Sequence, residues 1–482
     1  MNDTESTRGR LILEAARDAW ERMAPLRERR RRYCRFTYGD QWGDLTPDRL
    51  NQQEKLRLAP LTATITEEEE AIRSGCKPLT NNLIRRMVKA VVGRFRMERV
   101  ENPEPTRQAD PDNLNRLDEL DARTLEEFLI SGMAIHRVRR ENRPSGSGVW
   151  ADNIPPDRFF TGAFSDPRGT DLELAGSLHD MSLAEVMMRF ACGSPRKAAT
   201  LRRIFRDCAV ADDIFIPSGS VADDGSFYHA PHGRCRVIEV WTLECRERLR
   251  CHDPLTATFG YLPASSASML KKRNASRRRR KLPQVESRWE MAPVWHGRFI
   301  APDGTVLDSF DSPLADGSLP YAIKMYPMVD GQVHSLVEDV IGQQKYVNRL
   351  ITMMDHIMGV SAKGALLFPV ECKVEKEPWS KYTNLWATPG AVIPYHPFDG
   401  SEPHQVSTPA ADIGAREMLQ TQIQLFEDVS GVNSSLMGRA VSGAVGAERY
   451  ESELRNSAVS ILDLMKTFAD FTATRNRLMS LA

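Results

Sequence analysis

The sequence predicts an α+β fold made of several domains. Apolar residues recur at helical spacing in long segments near both ends of the chain, and they alternate as in strands through its middle. Two long helical patterns also bracket a short, proline-rich stretch, residues 361–407. With 482 residues and 41% hydrophobic content, the chain is large enough to form sizeable cores in about three domains.

The N-terminal part is predicted to be mainly helical. Residues 11–35 show a charged helical pattern with a basic run at 29–32, for which a solvated face is favoured over a phosphate-binding patch. Residues 78–96 begin with an asparagine cap and continue as an amphipathic helix, a pattern that residues 113–132 repeat. Because each has one apolar face, we expect both helices to pack on one core.

The middle of the chain is predicted to contain most of the strands. The periodicity is typical of strands at 135–164, 235–249 and 288–300, and a helix is predicted at 182–192. Pro302-Asp303-Gly304 predicts a hairpin turn between two apolar runs.

The most basic window, K-K-R-N-A-S-R-R-R-R-K at residues 271–281, lies between two predicted strands. Its neighbours are rich in Ser, Ala and Pro, so we expect a disordered surface loop there. A contact with nucleic acid or with a scaffold protein is the alternative.

A long helix is predicted at residues 335–358. Ser335 and Glu338 match a capping box at its start, and Gly359 is expected to end it. About 24 residues at about 1.5 Å each give a rod about 36 Å long. Beside its apolar residues the helix carries an amide-rich polar surface, formed by Gln343, Gln344, Asn348 and Arg349.

A compact stretch and two further helices are predicted after this rod. Within residues 361–407 we expect short strands at 365–370 and 391–395 and a short helix at 378–382. A second long helix is predicted with Thr408 as its cap, Pro409 in its first position and Gly431 as its end. Residues 432–447, rich in Gly, Ser and Ala with one charge, predict a flexible loop before a last amphipathic helix at 448–481.

The overall charge and the cysteines exclude several classes of protein. Lys plus Arg equals Asp plus Glu at 65 each, so no global charge draws the chain to nucleic acid or to an anionic membrane. We find no signal peptide and no run of about 18 apolar residues, and expect a protein without a membrane partner that stays where it is made. The eight cysteines predict free thiols in a reducing cytoplasm.

A zinc site is weighed for the histidines and cysteines of residues 229–252. That region has no turn residue between Cys235 and Cys245, so one strand would place them about 33 Å apart. One ion cannot bind both, and incidental cysteines are favoured.

The motifs of common enzymes are absent. There is no phosphate loop, nucleophile elbow, H-E-x-x-H or dinucleotide-binding fingerprint. The acidic pairs Glu338-Asp339 and Glu427-Asp428 diverge in direction on a helix, so a solvated face is favoured over a metal site. We predict no catalytic residue, no cofactor and no metal. A nucleic-acid enzyme that uses the acidic pairs and the basic window is the least favoured alternative.

A series of short motifs resembles the P22-like family of phage portal proteins. Each motif is weak by itself, and their order along most of the chain carries the resemblance. In chain order they are Y-G-D-Q-W (38–42), P-L-T-N-N-L-I-R-R-M-V-K-A-V-V-G (78–93), R-V-I-E-V-W (236–241), P-D-G-T-V-L (302–307), Y-P-M-V-D-G (326–331), Q-Q-K-Y-V-N-R-L (343–350), P-G-A-V-I (389–393) and S-G-V-N-S-S-L-M-G (430–438).

The resemblance implies a portal fold. It assigns an α/β wing to residues 1–332, the first stem helix to 333–360, an α/β clip to 361–407, the second stem helix to 408–431, the tunnel loop to 432–447 and the returning long helix to 448–482. The crown is expected to be short or absent, since little sequence follows that helix.

The resemblance also implies a non-enzymatic ring of about twelve subunits at one capsid vertex, with a channel for double-stranded DNA. Between Val333 and Gly431 the sequence has seven Lys/Arg and twelve Asp/Glu, and an acidic wall lets DNA slide where a basic wall would bind phosphates. The expected residues of the DNA channel and tunnel loop are Asn433, Ser434, Ser435, Arg439 and Ser442. Stem and subunit contacts are expected from Gln343, Gln344, Asn348, Arg349, Leu419 and Phe426. Docking of the motor or adaptor on the clip is expected from Glu375, Lys376, Glu377 and Trp379.

The implied partners are those of DNA packaging in a virion. They are further copies of the chain, the major capsid protein, the scaffolding protein, the terminase large subunit, a head-completion or tail adaptor, and the DNA itself. Assembly is expected in the host cytoplasm. The alternative is a capsid-associated scaffold or adaptor protein without a channel, whose long helices only bridge partners.

Overall fold

The structure is a computed structural model and confirms a mixed α+β architecture. It describes residues 3–47, 64–103, 108, 110, 112–143, 146–206, 225–231, 233–263, 266–314, 316–361, 365–370, 373–374, 377–387, 393, 395–396, 402–406, 414–432 and 459–482.

The helices of the described residues are α1 (Asp3–Arg22), α2 (Ala24–Tyr38), α3 (Glu67–Arg73), α4 (Leu83–Glu101), α5 (Leu117–Ser131), α6 (Leu183–Phe190), α7 (Pro195–Ile204), α8 (Ala267–Arg279), α9 (Leu336–Ser361), α10 (Trp379–Ala387), α11 (Ala415–Ser430) and α12 (Leu462–Leu481). The strands are β1 (Leu45–Pro47), β2 (Thr64–Thr66), β3 (Met133–Arg143), β4 (Gly146–Asn153), β5 (Phe159–Thr161), β6 (Leu174–Met181), β7 (Cys235–Asp253), β8 (Thr258–Pro263), β9 (Glu286–Ile300), β10 (Val306–Asp311), β11 (Tyr321–Met325), β12 (Pro327–Val329), β13 (Gln332–Val333), β14 (Ala365–Leu367) and β15 (His404–Val406).

These elements form two compact units. Unit 1 comprises the described residues within Met1–Cys34, Met87–Glu338 and Ser434–Ala482, and unit 2 those within Arg35–Arg86 and Asp339–Asn433. The segment before Met87 is therefore divided, and its second part groups with the region that follows the predicted wing. The portal subdivision of the chain stays a prediction.

The core of unit 1 lies on an antiparallel sheet with the strand order β10-β9-β7-β6-β5, to which β8 is added along β7. One side of α1 is apolar, and Trp20 from it and Met23 just after it are buried with Phe160 and Trp241 of the sheet. Gly297 in β9 makes room for Trp241, since a Cβ at position 297 would lie 2.9 Å from the Trp241 indole ring.

A second, three-stranded sheet with the order β11-β3-β4 is covered by α5 and α12. The two helices are joined by a buried ion pair, in which Arg475 donates to both carboxylate oxygens of Asp121 at 2.7 and 3.0 Å. Both side chains are 1% exposed. Removing one partner leaves the other charge buried and unpaired, which costs about 3–5 kcal/mol.

Two smaller clusters complete the cores described in unit 1. The helices α6 and α7 pack on Cys235, Val237 and Phe299. The helix α6 begins after Ser182. The Ser182 hydroxyl accepts from Glu185 N, and the Glu185 carboxylate accepts from Ser182 N, which together form a capping box. The helix α8 packs on the far end of β7 through Leu270, Leu249 and Cys251.

Unit 2 contains the long helix α9 from Asp339 onward, the helices α10 and α11, and two small antiparallel sheets, β1-β2 and β14-β15. Of the capping box predicted at the start of α9, the hydrogen bond in which Ser335 Oγ accepts from Glu338 N is present, at 3.0 Å. The predicted end is wrong, because the helix continues through Gly359 to Ser361. Glycine disfavours a helix interior by only about 1 kcal/mol, which one neighbouring turn offsets.

Other predicted elements are confirmed with changed bounds. The predicted helix 11–35 is two helices that break at Met23, and the strands at 135–164, 235–249 and 288–300 are all present. The disordered loop expected at 271–281 is wrong, because α8 occupies most of it. The strand β14 pairs with β15, a segment for which no strand was predicted, and most of 391–395 and the cap Thr408-Pro409 lie outside the described residues.

The imidazole of His136 in β3 provides a test of the unit 1 core. Thr124 donates its hydroxyl proton to Leu120 O and therefore accepts from His136 Nε2 at 2.7 Å, which places the proton of the neutral ring on Nε2 and leaves Nδ1 bare. Among the described residues Nδ1 has no hydrogen-bond partner. Burial, with Arg475 nearby, holds the pKa of His136 well below its usual value of 6.5.

Acid is therefore expected to destabilise unit 1 through this residue. Below about pH 6.5 the unfolded chain binds the proton and the folded chain does not, so stability present at pH 7.5 is lost at up to about 1.4 kcal/mol per pH unit. His136→Gln keeps a hydrogen-bonding group without a titrating one, and urea unfolding at pH 7.5 and 5.5 should show a smaller loss for this variant. Equal losses in both proteins would contradict this assignment.

Candidate functional site

Two amide side chains of α9, Gln344 and Asn348, are buried within unit 2. Gln344 and Asn348 are 0% and 1% exposed and lie four residues apart, on the same side of the helix. Gln344 Oε1 accepts from the backbone N–H groups of Leu83 at 2.9 Å and Ile84 at 3.3 Å, and Nε2 donates to Asn81 O at 2.7 Å. These N–H groups open α4 and have no acceptor within their own helix, so Gln344 caps it from a distance.

Asn348 extends this network to the segment after α2. Its Oδ1 accepts from Asn81 N at 3.1 Å and from Gln344 Nε2 at 3.0 Å, and its Nδ2 donates to Gln41 Oε1 at 2.7 Å. Gln41 Nε2 in turn donates to Phe36 O at 2.7 Å. The network, which we call the amide cluster (Gln41, Asn81, Gln344 and Asn348), is internally satisfied and costs little to bury.

The amide cluster unites three motifs that are far apart in the sequence. Gln41 comes from Y-G-D-Q-W, Asn81 from P-L-T-N-N-L and the other two members from Q-Q-K-Y-V-N-R-L. The neighbouring Asn82 caps α4 as predicted, since its Oδ1 accepts from Arg85 N at 2.9 Å. The three motifs therefore share one structural role, which is to fix the start of α4 against α9.

The cations of α9 are paired inside the same unit. Lys345 Nζ lies 2.6 Å from Asp44 and 2.9 Å from Glu67, and Arg349 lies 3.2 Å from Glu67. The carboxylate of Glu67 is 9% exposed, whereas the side chain of Arg349 is 55% exposed. Much of the positive charge on α9 is thus neutralised by this chain's own acids.

The predicted stem residues divide by burial. Gln344 and Asn348 use their amide groups inside the unit, and Phe426 is 1% exposed. Gln343 and Leu419 are half-buried, and Arg349 reaches solvent. A subunit contact through these positions stays a prediction, and within it the accessible side chains are Gln343, Arg349 and Leu419.

Exposed apolar stripes on α9 and α11 were missed in the sequence. On α11, Met418, Leu425 and Val429 are 46%, 42% and 45% exposed. Residues 7 and 11 positions apart lie within about 20° of one another around a helix, so the three form one stripe. Tyr346 and Met353 form a similar pair on α9, at 45% and 55% exposed. The sequence does contain the pattern, as apolar residues spaced 7 and 11 positions apart, but the interpretation of these helices was based on their amide residues instead.

The predicted clip contains an aromatic cluster around α10. Phe368, Trp379 and Tyr382 have ring centroids 4.9–6.0 Å apart, and the Tyr382 hydroxyl accepts from Val374 N at 2.9 Å. Trp379 is 44% exposed while Tyr382 is 5% exposed. The predicted docking residue Glu377 pairs with Lys381 at 2.7 Å.

Several predicted positions lie outside the described residues. These are Glu375, Lys376, Asn433, Ser434, Ser435, Arg439 and Ser442. Their roles in the clip and in the tunnel loop stay predictions.

The most perturbed ionisable groups belong to a buried network in the sheets of unit 1. Glu239 accepts from Arg137 at 3.0 Å and from Trp241 Nε1 at 2.8 Å, and lies 2.7 Å from His179 Nε2. Burial disfavours its carboxylate, but Arg137 and His179 more than offset this and lower the pKa of Glu239. Such paired groups are typical of a buried structural network, and perturbed pKa values arise there as well as at active sites.

Among the described residues there is no group of three or more His, Cys, Asp or Glu placed to hold a metal ion. In the acidic pair Glu338-Asp339, the Glu338 carboxylate already has neighbours within the chain, since it lies 3.6 Å from Arg29 and 3.4 Å from His334. None of the described helices is long and apolar enough to cross a membrane.

Comparison with known protein families identifies the chain. The family model for phage P22-like portal proteins matches residues 13–461, which includes every segment of the amide cluster. The chain belongs to the phage P22-like portal protein family. Comparison with curated proteins gives no match.

Membership in the portal family places the chain among structural components of the phage capsid. It implies an oligomeric ring and partners in the capsid and in packaging. In this portal protein the amide cluster lies within the matched residues and joins three of the sequence motifs named above.

Proposed function

We propose that this portal protein assembles as a ring, of about twelve subunits, at one capsid vertex and conducts double-stranded DNA during packaging and ejection. The exposed apolar stripes of α9 and α11 carry the proposal. Five large apolar side chains between 42% and 55% exposed are typical of surfaces that another protein covers. In a family of ring-forming proteins, the covering surface is a second copy of the chain.

The charges of the proposed stem and clip support passage of DNA. With seven basic and twelve acidic residues between Val333 and Gly431, and with Lys345 paired internally, this region has few free cations to bind phosphates. Each phosphate contact would add affinity and slow the strand. A wall of this composition lets the duplex slide.

Docking of the packaging motor and of the head-completion or tail adaptor is proposed on the clip. The exposed Trp379 is supported by Phe368 and Tyr382, and Lys373 lies over its ring at 5.3 Å. A rigid aromatic side chain that is only partly buried is the kind of anchor that dominates protein interfaces. The capsid and scaffolding proteins are proposed to contact the wing, within residues 1–332.

Electron microscopy of the purified protein tests the ring. Negative-stain images should show rings with a central hole wide enough for a duplex, of about 20 Å. Single particles without a hole would favour the scaffold or adaptor alternative. ATPase and nuclease assays with Mg²⁺ should give no activity, and turnover by the purified protein would instead favour a nucleic-acid enzyme.

A charge reversal in the proposed tunnel loop is expected to change packaging but not assembly. Arg439 is the one charged residue of the stretch 432–447, and in Arg439→Glu its weak attraction for phosphate becomes repulsion. We expect rings of normal size and an altered length or rate of packaged DNA in an in vitro packaging reaction. Arg439→Lys, which keeps the positive charge at the same position, is the control and should package DNA normally. Unchanged packaging by Arg439→Glu would rule out this role for Arg439.

A further inference from the structure

The helix α8 in unit 1 carries the densest positive charge of the chain. Between Asp253 and Glu286 the sequence has eight Lys/Arg and no Asp/Glu. The sequence alone predicted a disordered loop there, whereas the structure has an ordered helix. The ordering matters because it gives the cations fixed positions.

The inner face of α8 is fixed to the sheet by a few specific contacts. Arg277 donates to Asp253 through both terminal nitrogens, at 2.5 and 2.6 Å, and Arg273 adds a contact of 3.1 Å to the same carboxylate. The hydrogen bond from Arg277 holds the pKa of Asp253 at about 2, so this carboxylate stays charged at neutral pH. The side-chain amide of Asn274 makes two hydrogen bonds of 2.9 Å with the backbone of Val285, donating from Nδ2 to the carbonyl oxygen and accepting at Oδ1 from the N–H.

The outer face of α8 presents Lys271, Lys272, Arg278 and Arg279 to solvent. Positions seven apart lie within about 20° of each other around a helix, so Arg278 and Arg279 lie on the same side as Lys271 and Lys272. The pair Lys271–Lys272 and the pair Arg278–Arg279 are therefore about 10 Å apart along the helix axis. Among the described residues none of the four lies within salt-bridge distance of a carboxylate. We call these four residues the outer cations.

We propose that the outer cations bind the phosphate backbone of double-stranded DNA, from the side and without sequence preference, separately from the proposed channel. The surface matches a polyanion by charge, and the residue between the cation pairs on this face is the small Ala275, which allows close approach. An acidic protein is disfavoured, because protein interfaces are built around apolar or aromatic anchors that this face lacks between its cation pairs.

The salt dependence of binding gives the expected size of the effect. Four phosphate contacts contribute a slope of about −3.6 to a plot of log K against log salt concentration, at about −0.9 per contact. Replacing the four outer cations with glutamine should make the slope shallower by about 3–4 and weaken binding steeply at low salt.

Closed circular duplex DNA is the probe, because it cannot thread through a ring that has already assembled. The intact protein is mixed with relaxed circular DNA at NaCl concentrations from about 50 to about 200 mM, and binding is measured by sedimentation. The test variant is Lys271→Gln/Lys272→Gln/Arg278→Gln/Arg279→Gln. The control is Arg196→Gln/Lys197→Gln/Arg203→Gln/Arg206→Gln, which removes the same charge from exposed positions on and beside α7 of the same unit.

Binding that is lost in the α8 variant and kept in the α7 variant supports the proposal. Equal loss in both variants, no loss in either, or binding of poly-glutamate without binding of circles overturns it. Hydrogen exchange across residues 267–279 verifies that α8 is still formed in the variant. The inference relies on the family only for the presence of duplex DNA. If rings form but bind no circular DNA, only the proposal for the outer cations is refuted. If no rings form, only the proposed function is refuted.

Discussion

Replacing Leu425 and Val429 with aspartate is expected to convert rings of this protein into monomers. Both side chains are more than 40% exposed in the single chain, so the substitutions cost the isolated fold little. Assembly buries them in the proposed contact, where each apolar side chain contributes about 1.5–3 kcal/mol and an unpaired carboxylate is strongly unfavourable. Because every contact in a ring carries the same defect, the loss is repeated around the ring. Native mass measurement and negative-stain imaging read the result.

The matched control changes two positions on another side of the same helix. Gln420 and Gln424 are exposed and lie roughly opposite the Leu425–Val429 stripe, at about 100° per residue. The variant Gln420→Asp/Gln424→Asp adds the same charge to α11 and should still give rings. Intact rings in the Leu425→Asp/Val429→Asp protein would exclude this stripe from the subunit contact. Phe426→Asp is uninformative for this purpose, because Phe426 is buried in the chain and its loss would damage the fold first.

The elements that sequence reasoning located well are those whose cause is local. The caps at Ser335 and Asn82 follow from a side chain and a backbone N–H three residues later, and both are present. The strand β7 follows from the β-favouring run at residues 237–243 and β9 from the apolar and aromatic residues at 289–300, and the two strands pair with each other over most of their length. Such features need no knowledge of the rest of the chain.

Features that depend on distant partners could not be predicted in this way. Periodicity placed Gln344 and Asn348 on one face of a helix, but it could not show that Asn81 and Leu83, more than 250 residues earlier, would cover that face. For α8, local composition indicated a loop, whereas Leu270, Asn274 and Arg277 meet partners on β7 and β9 or beside them only in the folded sheet. Tertiary contacts decide such cases over local preference.

Breaking the ion pair between Asp121 and Arg475 is expected to release α12 from the second sheet of unit 1. In Asp121→Leu the guanidinium of Arg475 stays 1% exposed without its carboxylate, and the same holds in reverse for Arg475→Met. Each single variant should lose about 3–5 kcal/mol of stability, measured by urea unfolding. Hydrogen exchange should rise along residues 462–481 and in the facing strand β11.

The double variant Asp121→Leu/Arg475→Met separates the charge from the packing. It removes both buried charges and fills the space with apolar atoms, so stability should return close to that of the original chain. Arg99, which lies 3.6 Å from Asp121, has an 18% exposed side chain and can turn to solvent. A double variant as unstable as the singles would mean that geometry, not an unpaired charge, sets the cost. Since α12 follows the proposed tunnel loop in the chain, the single variants should also impair packaging, and the double variant should restore it if the pair acts only as an anchor.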